Sequence, residues 1–302
     1  MDKKRQLRQL VAQKNLFIAP GAYDALTARL VEKAGFPAVK LLGNATGASL
    51  LGLPDLGFLT LMEVVNHARN VAAAVNIPLM VDTDTGFLNG PLGIIRTVRE
   101  FERAGVAGIS FEDQVSPKKC ALIEGATQVV PIEEHVKRIQ AAVYAREDKD
   151  FVIGTRTDAE ESRGLGEAIK RANAYAEAGA DIIAIALRWS REKGKREETL
   201  SALRRISEEV KAPLTLMFSD EVIKSGNATL DEIRQLNFVM GSCNSVRYTV
   251  VKAVAEMLEC LKRDWSTQAY DRRMASLKEY NELLGLEDYL ELELRFTPGL
   301  QR

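Results

Sequence analysis

Among its 302 residues the chain holds only two histidines, His67 and His135. Both fall within helical patterns, so histidine acid–base chemistry and a histidine zinc site are not expected. Cysteine is nearly as scarce. Cys120, Cys243 and Cys260 are odd in number and lack CxxC spacing, which argues against a disulfide framework and a cysteine zinc site. Neither sign of charge is in excess: 41 Lys and Arg against 42 Asp and Glu leave a formal net charge of −1, and no nucleic-acid partner is expected. No apolar run approaches the roughly 18 residues of a membrane span. The opening "MDKKRQLRQLVAQKN" reads as an amphipathic helix without a signal-peptide core, so a cytoplasmic location and no membrane partner are expected. No GxGxxG or Walker loop supports an open, doubly wound nucleotide-binding sheet.

What the sequence does have is one repeated rhythm. Eight β-rich runs, "LFIAP", "AVKLLG", "PLMVDT", "VAGISFE", "DFVIGTRT", "ADIIAIAL", "APLTLMF" and "NFVMGS", alternate with amphipathic helical patterns. Helices stop at Ala34-Gly35, Ala104-Gly105 and Ala178-Gly179, where glycine supplies a left-handed cap. Thr60 and Glu63 form a capping box ahead of a helix expected to run to about Val75. Strand, helix, strand in this order implies right-handed crossovers, and eight such units predict an α/β fold, a (β/α)8 TIM-type barrel. The 46% hydrophobic content can fill one such core, so residues 1–302 read as a single barrel domain with 263–302 a C-terminal helical extension.

Chemistry in such barrels sits at the carboxyl ends of the strands. Asp82 and Asp84 end the third run, Glu112 and Asp113 the fourth, Arg156 and Asp158 the fifth. Five acids and an arginine are thus expected at one mouth, although Asp113 and Asp158 read equally well as loop charges or helix caps. Carboxylates around one cavity repel unless a cation sits among them, and an oxygen-only set suits Mg2+ or Mn2+. In the loop "EDQVSPKKCALIEG", Cys120 follows Lys118 and Lys119, whose charge favours thiolate; a lone cysteine is otherwise buried filler, the role expected for Cys243 and Cys260.

These residues carry a resemblance. "GAYDALTARLVEKAGFPAV", "LGLPDLGF", "DTDTGF", "RTVREFERAGVAGISFEDQVSPKKC" and "TRTDA", spread over residues 17 to 180, are similar to the short members of the isocitrate lyase and phosphoenolpyruvate mutase superfamily. That group includes 2-methylisocitrate lyase, dimethylmalate lyase, oxaloacetate hydrolase and decarboxylase, and carboxyphosphonoenolpyruvate mutases. The resemblance implies Mg2+ bound by Asp82 and Asp84, with Asp55 and Glu112 reaching it largely through water. It implies a substrate 2-oxo-acid end on the metal and on the amides of Gly43, Asn44 and Ala45. It gives Arg156, and a second arginine matched by Arg247, to substrate carboxylates, and makes Lys118, Lys119 and Cys120 part of a gating loop whose cysteine protonates a departing carbanion. It also implies a homotetramer that exchanges C-terminal helices between subunits.

The chain departs from that pattern on the substrate side. Ala121-Leu122 replace Gly-His after Cys120, Leu42 replaces a serine, Ala186 stands near a usual glutamate, and "LMFSDE" replaces an Asn-Met sequence; Arg188 and Asp220 are candidates to compensate. The expected function is therefore a Mg2+-dependent carbon–carbon lyase acting on a 2-hydroxy or 2-oxo di- or tricarboxylic acid. Its site is expected to combine Cys120, Lys118, Glu112 and Arg156. Oxaloacetate decarboxylation or hydrolysis and phosphonomutase chemistry are alternatives within the family, and a non-catalytic acid-binding barrel is the alternative outside it.

Overall fold

Eight short strands, β1 (Phe17–Ala22), β2 (Val39–Leu41), β3 (Leu79–Asp82), β4 (Gly108–Glu112), β5 (Val152–Thr157), β6 (Ile182–Ile185), β7 (Leu214–Leu216) and β8 (Phe238–Cys243), pair in chain order. Every pair is parallel, and β8 returns to β1 with Met240 opposite Phe17, closing a (β/α)8 barrel. The computed structural model describes residues 2–88, 90–119 and 127–298. All eight expected runs form strands. The helix stops at Gly35, Gly105 and Gly179 have positive φ angles of 84°, 81° and 103°, which only glycine adopts without strain. Thr60 and Glu63 form the reciprocal capping box of the helix Leu61–Ala74, with Val75 as its C-cap.

The two-residue period of the strands divides the core into two layers. Val39, Leu41, Leu79, Val81, Ile109, Phe111 and Ile153 pack outward against the helices, in the cluster that also holds Val64, Val71 and Phe101. The alternate positions point into the barrel, where Ala38, Met80, Val152, Ile182 and Met240 pack together. Gly154 belongs to this inner set: a Cβ there would stand 2.6 Å from Met80 Cε, so β5 leaves room for the methionine of β3. Leu7 and Val11 of the helix Lys3–Ala12 enter the same inner cluster. Arg8 fixes that helix by donating to Asp181 and to the carbonyls of Lys149 and Phe151. The N-terminal end of the barrel is thus closed by packing, and chemistry is left to the other end.

By compactness the chain falls into two units, Met1–Val246 and Arg247–Arg302. The helix Ser245–Asp264, which the sequence pattern leaves with the barrel, belongs almost wholly to the second. That unit continues through the helices Leu277–Leu284 and Leu286–Phe296, neither of which buries a side chain. No helix among the described residues is long and apolar enough to cross a membrane.

Both histidines are structural in their contacts. His67 Nε2 lies 2.6 Å from the Tyr23 carbonyl. His135, in the helix Ile132–Ala145, is fully buried between the rings of Phe111 and Tyr175, with Nε2 2.7 Å from Thr155 Oγ1. Burial, aided by the charges of Arg138 and Arg171, holds its pKa well below the usual value of 6.5. In the fold the imidazole therefore stays neutral at pH values where the unfolded chain takes up a proton. Stability tied to this site is fully present above about pH 6.5 and falls as the pH is lowered, by up to about 1.4 kcal/mol per pH unit. Denaturant unfolding of the wild type and His135→Phe between pH 7.5 and 5 is expected to show a shallower acid loss in the variant. Parallel pH profiles would show that His135 does not titrate on unfolding.

Candidate active site

The strand period that builds the core also aims the charges. β3 continues its inward positions from Met80 to Asp82, β4 from Ser110 to Glu112, and β5 from Gly154 to Arg156 and then Asp158. Glu112 and Arg156 face each other in register. Arg156 Nη2 lies 2.7 Å from Glu112 Oε2, Nε 3.1 Å from Asp158 Oδ2, and Nη1 4.0 Å from Asp82 Oδ2. Asp84 follows at a φ of 51°, in the left-handed region that short polar side chains tolerate, and its Oδ1 is 2.5 Å from Lys118 Nζ. Lys118 also reaches Asp55 Oδ1 at 2.6 Å, so one buried ammonium joins the loop before the helix Leu61–Ala74 to the end of β3.

One carboxylate oxygen from each of Asp82, Asp84 and Glu112 lies within 4.8 Å of the others. Glu112 is fully buried, and its Oε1 has no hydrogen-bond partner among the described residues. Burial, with Asp82 and Asp84 adding to it, pushes Glu112 up to about 8 against the pull of Arg156 and Lys118. Burial also raises Asp84, opposed by Lys118 and reinforced by Asp82 and Asp55. For Asp82 burial works in the same direction, but Arg156, Lys40 and Lys118 outweigh it and hold the group below the usual carboxylate range. Burial thus disfavours the charged forms of Glu112 and Asp84, while Asp82 is kept ionised by its cations. Hard oxygen donors, one buried oxygen without a partner, and mutual repulsion all fit a divalent cation such as Mg2+ or Mn2+.

Gly43, Asn44 and Ala45 form the first turn of the helix Gly43–Leu51, which has no side-chain cap, so their N–H groups lack intrahelical acceptors. A Cβ on Gly43 would be 2.9 Å from Asp84 Oδ1; glycine lets this helix start approach the carboxylates. Beyond β6, Arg188 donates to Thr127 Oγ1 at 2.6 Å, pairs with Glu161 and lies 3.4 Å from Asp158. Asp220 accepts from Cys243 Sγ at 3.2 Å and from Ser245 Oγ. Arg247 lies in the second unit, where its guanidinium donates to Tyr248 Oη at 2.6 Å and lies over that ring. Cys120, with Ala121 and Leu122, lies outside the described residues. Cys260 is buried and Cys243 half-buried, both as free thiols.

One of the five expected acids is not in the mouth. Asp113 follows the inward Glu112 by one position and turns to the helix side, where it accepts from Tyr175 Oη at 2.8 Å, Thr157 Oγ1 at 2.7 Å, Arg171 Nη1 at 3.1 Å and the Asp158 amide at 3.0 Å. Two residues absent from the sequence reading stand at the site. Gln114 donates to Asp158 Oδ2 at 2.9 Å and accepts from the Lys119 amide at 3.0 Å, tying the loop after β4 to the acid of β5. Lys40 points inward from β2, a charge in the middle of the apolar run "AVKLLG" that strand alternation alone could have flagged.

Comparison with known proteins places this geometry in context. The family model for phosphoenolpyruvate phosphomutase matches residues 7–260. A 2,3-dimethylmalate lyase of Eubacterium barkeri is 39% identical over 302 residues, covering 99% of this chain and 100% of that one. Among solved structures, a phosphoenolpyruvate phosphomutase from Streptomyces platensis subsp. rosaceus superposes with a TM-score of 0.86 at 29% identity, covering 97% of this chain and 99% of the other. A phosphonopyruvate hydrolase in complex with oxalate and Mg2+ gives a TM-score of 0.82 at 31% identity, over 98% and 99% of the two chains.

Proposed function

The chain belongs to the phosphoenolpyruvate phosphomutase family, and from that membership we propose that it is a Mg2+-dependent lyase that cleaves a carbon–carbon bond in a 2-hydroxy or 2-oxo dicarboxylic acid. The observation that carries the reading is the trio Asp82, Asp84 and Glu112, whose oxygens lie within 4.8 Å of one another beside an uncapped helix start. These three would hold the ion, with Asp55 linked to them through Lys118. A divalent ion there supplies Lewis-acid stabilisation of the negative charge that develops on an oxygen beside the breaking bond.

The chain's own groups do the rest. The amides of Gly43, Asn44 and Ala45 donate to the carboxylate at the reacting end of the acid. Arg156 faces the acid with a guanidinium already braced by Glu112 and Asp158, so little freedom is lost when substrate arrives. Cys120 is the proton donor to the leaving fragment, carried on a loop whose base is pinned by Gln114 and Lys118. The exposed helices of the second unit suit an exchange between subunits of a homotetramer.

The side of the mouth that departs from the family pattern presents apolar groups. Leu42 and Ala186, at inward positions by strand period, are buried, and the half-buried Met217 lines the small interior cavity. Each additional substrate carboxylate would need a buried partner, because an unpaired buried charge is costly. This favours two carboxylates and an alkyl substituent, the chemistry named for the Eubacterium barkeri relative, over a tricarboxylic acid. The structural likeness to a phosphomutase and a phosphonopyruvate hydrolase favours a second reading, cleavage of a carbon–phosphorus bond in a 2-oxo phosphonate.

The metal is tested by titration calorimetry and turnover together. The wild type is expected to bind one Mg2+ and to lose activity in EDTA, and Asp82→Ala to lose both binding and turnover at an unchanged fold; full activity in EDTA would refute the reading. Cys120→Ser is expected to lower kcat by on the order of 10² to 10⁴, the range for loss of a positioned acid, with little change in melting temperature. For substrate class, kcat/KM with 2,3-dimethylmalate is expected to exceed that with 2-methylisocitrate. A preference for the tricarboxylate above about tenfold, roughly 1.4 kcal/mol of transition-state binding, would reverse the assignment, and phosphonopyruvate as the best substrate would establish the second reading.

A further inference from the structure

β2 carries a lysine on the inner face of the barrel, at the level where β3 and β8 hold Met80 and Met240. Val39 and Leu41 on either side of Lys40 pack outward with the helices, and Lys40 itself is only 7% exposed. It stands in register with Met80, one inward step below Asp82. With Arg156, Met80, Ala184 and Met217 it lines a small interior cavity. At about 10 Å3 that cavity holds no more than a water, so a ligand would meet the lysine from above, on the side of the carboxylates.

The other cations of the mouth are engaged. Lys118 has Asp55 and Asp84, Arg156 has Glu112 and Asp158, and Arg188 has Asp158 and Glu161. Lys40 has no carboxylate within 4.0 Å and no hydrogen-bond acceptor among the described residues. Asp82 and Glu112 attract it at longer range, Arg156 repels it, and burial weighs against its charge. An ammonium largely withdrawn from water without a direct partner is costly, and a methionine of similar length would avoid the cost. A fold that keeps the lysine at such a place holds a positive charge ready for an anion that arrives with its own acceptor oxygens.

We propose that Lys40 is a specificity-determining residue, whose ammonium donates to a carboxylate oxygen of the acid bound at the mouth. The inference rests on the reading of this mouth as a Mg2+-dependent carboxylic-acid site. Two other roles are physically distinct. A lysine that merely offset Asp82 and Glu112 would alter metal affinity and leave acid affinity alone. A lysine that condensed with a 2-oxo acid would form an imine that borohydride traps.

The test uses the full chain, wild type and Lys40→Met, with Mg2+ alone and then with oxalate at saturating Mg2+, both by titration calorimetry. The variant is expected to bind oxalate at least tenfold more weakly, to bind Mg2+ as tightly or more tightly because a neighbouring positive charge is gone, and to melt no lower than the wild type. Unchanged oxalate affinity in a folded Lys40→Met would overturn the proposal while leaving the site reading intact, as would a change confined to Mg2+ affinity. A borohydride-stable pyruvate adduct on Lys40 would overturn it in favour of covalent chemistry. A wild type that binds no oxalate in Mg2+ would overturn the site reading itself, and the proposal with it.

Discussion

The mouth of the barrel depends on one guanidinium. Arg156 leaves β5 between Glu112 on one side and Asp158 two residues further on, with Asp82 just beyond ion-pair contact. Removing it would leave buried carboxylates facing each other in a poorly solvated site, where each uncompensated charge costs several kcal/mol. Its influence runs outward by contact. Asp158, fixed by Arg156, accepts from Gln114, and Gln114 holds the Lys119 amide, so the loop that leaves β4 is anchored on an acid of the neighbouring strand. Lys118 in that loop then closes on Asp84 and Asp55. These five contacts connect the arginine to Asp84 and Asp55.

The placement of Arg156 follows from strand period and register, and so does much of what the sequence discloses. Apolar runs bounded by glycine stops are local signals, and all eight strands and the three glycine-capped helices stand where those signals lie. The gathering of Asp82, Asp84 and Glu112 was legible for a related reason: parallel strands in a closed barrel all finish at one end, so acids at successive strand ends meet.

What the strand ends could not disclose was direction. Glu112 and Asp113 are adjacent acids of similar character, and the sequence read at the level of strand ends brings both to the mouth. The pleat separates them. With Ile109 and Phe111 packed outward, position 112 faces in and position 113 faces out, so Asp113 becomes the acceptor for Arg171, Tyr175 and Thr157 between sheet and helices. The same count along "AVKLLG" turns Lys40 inward, between the outward Val39 and Leu41. Arg247 had no such guide, since it belongs to the helical second unit and not to a strand end.

The charges of the mouth also bear on what kind of ligand can enter it. Asp55, Asp82, Asp84, Glu112 and Asp158 share a region with Lys40, Lys118, Arg156 and Arg188, five acids against four cations, so by formal charge the balance leans negative. A dianionic acid entering alone would add to that lean and meet repulsion from the carboxylates. A divalent cation entering alone would relieve them, but would stand close to Lys118, Arg156 and Lys40. The two together add no net charge, and each supplies what the other lacks: oxygens to complete the coordination of the ion, and positive charge to offset the acid. A divalent cation and a dianionic acid would therefore each strengthen the binding of the other in a site where the fold fixes charges of both signs in advance.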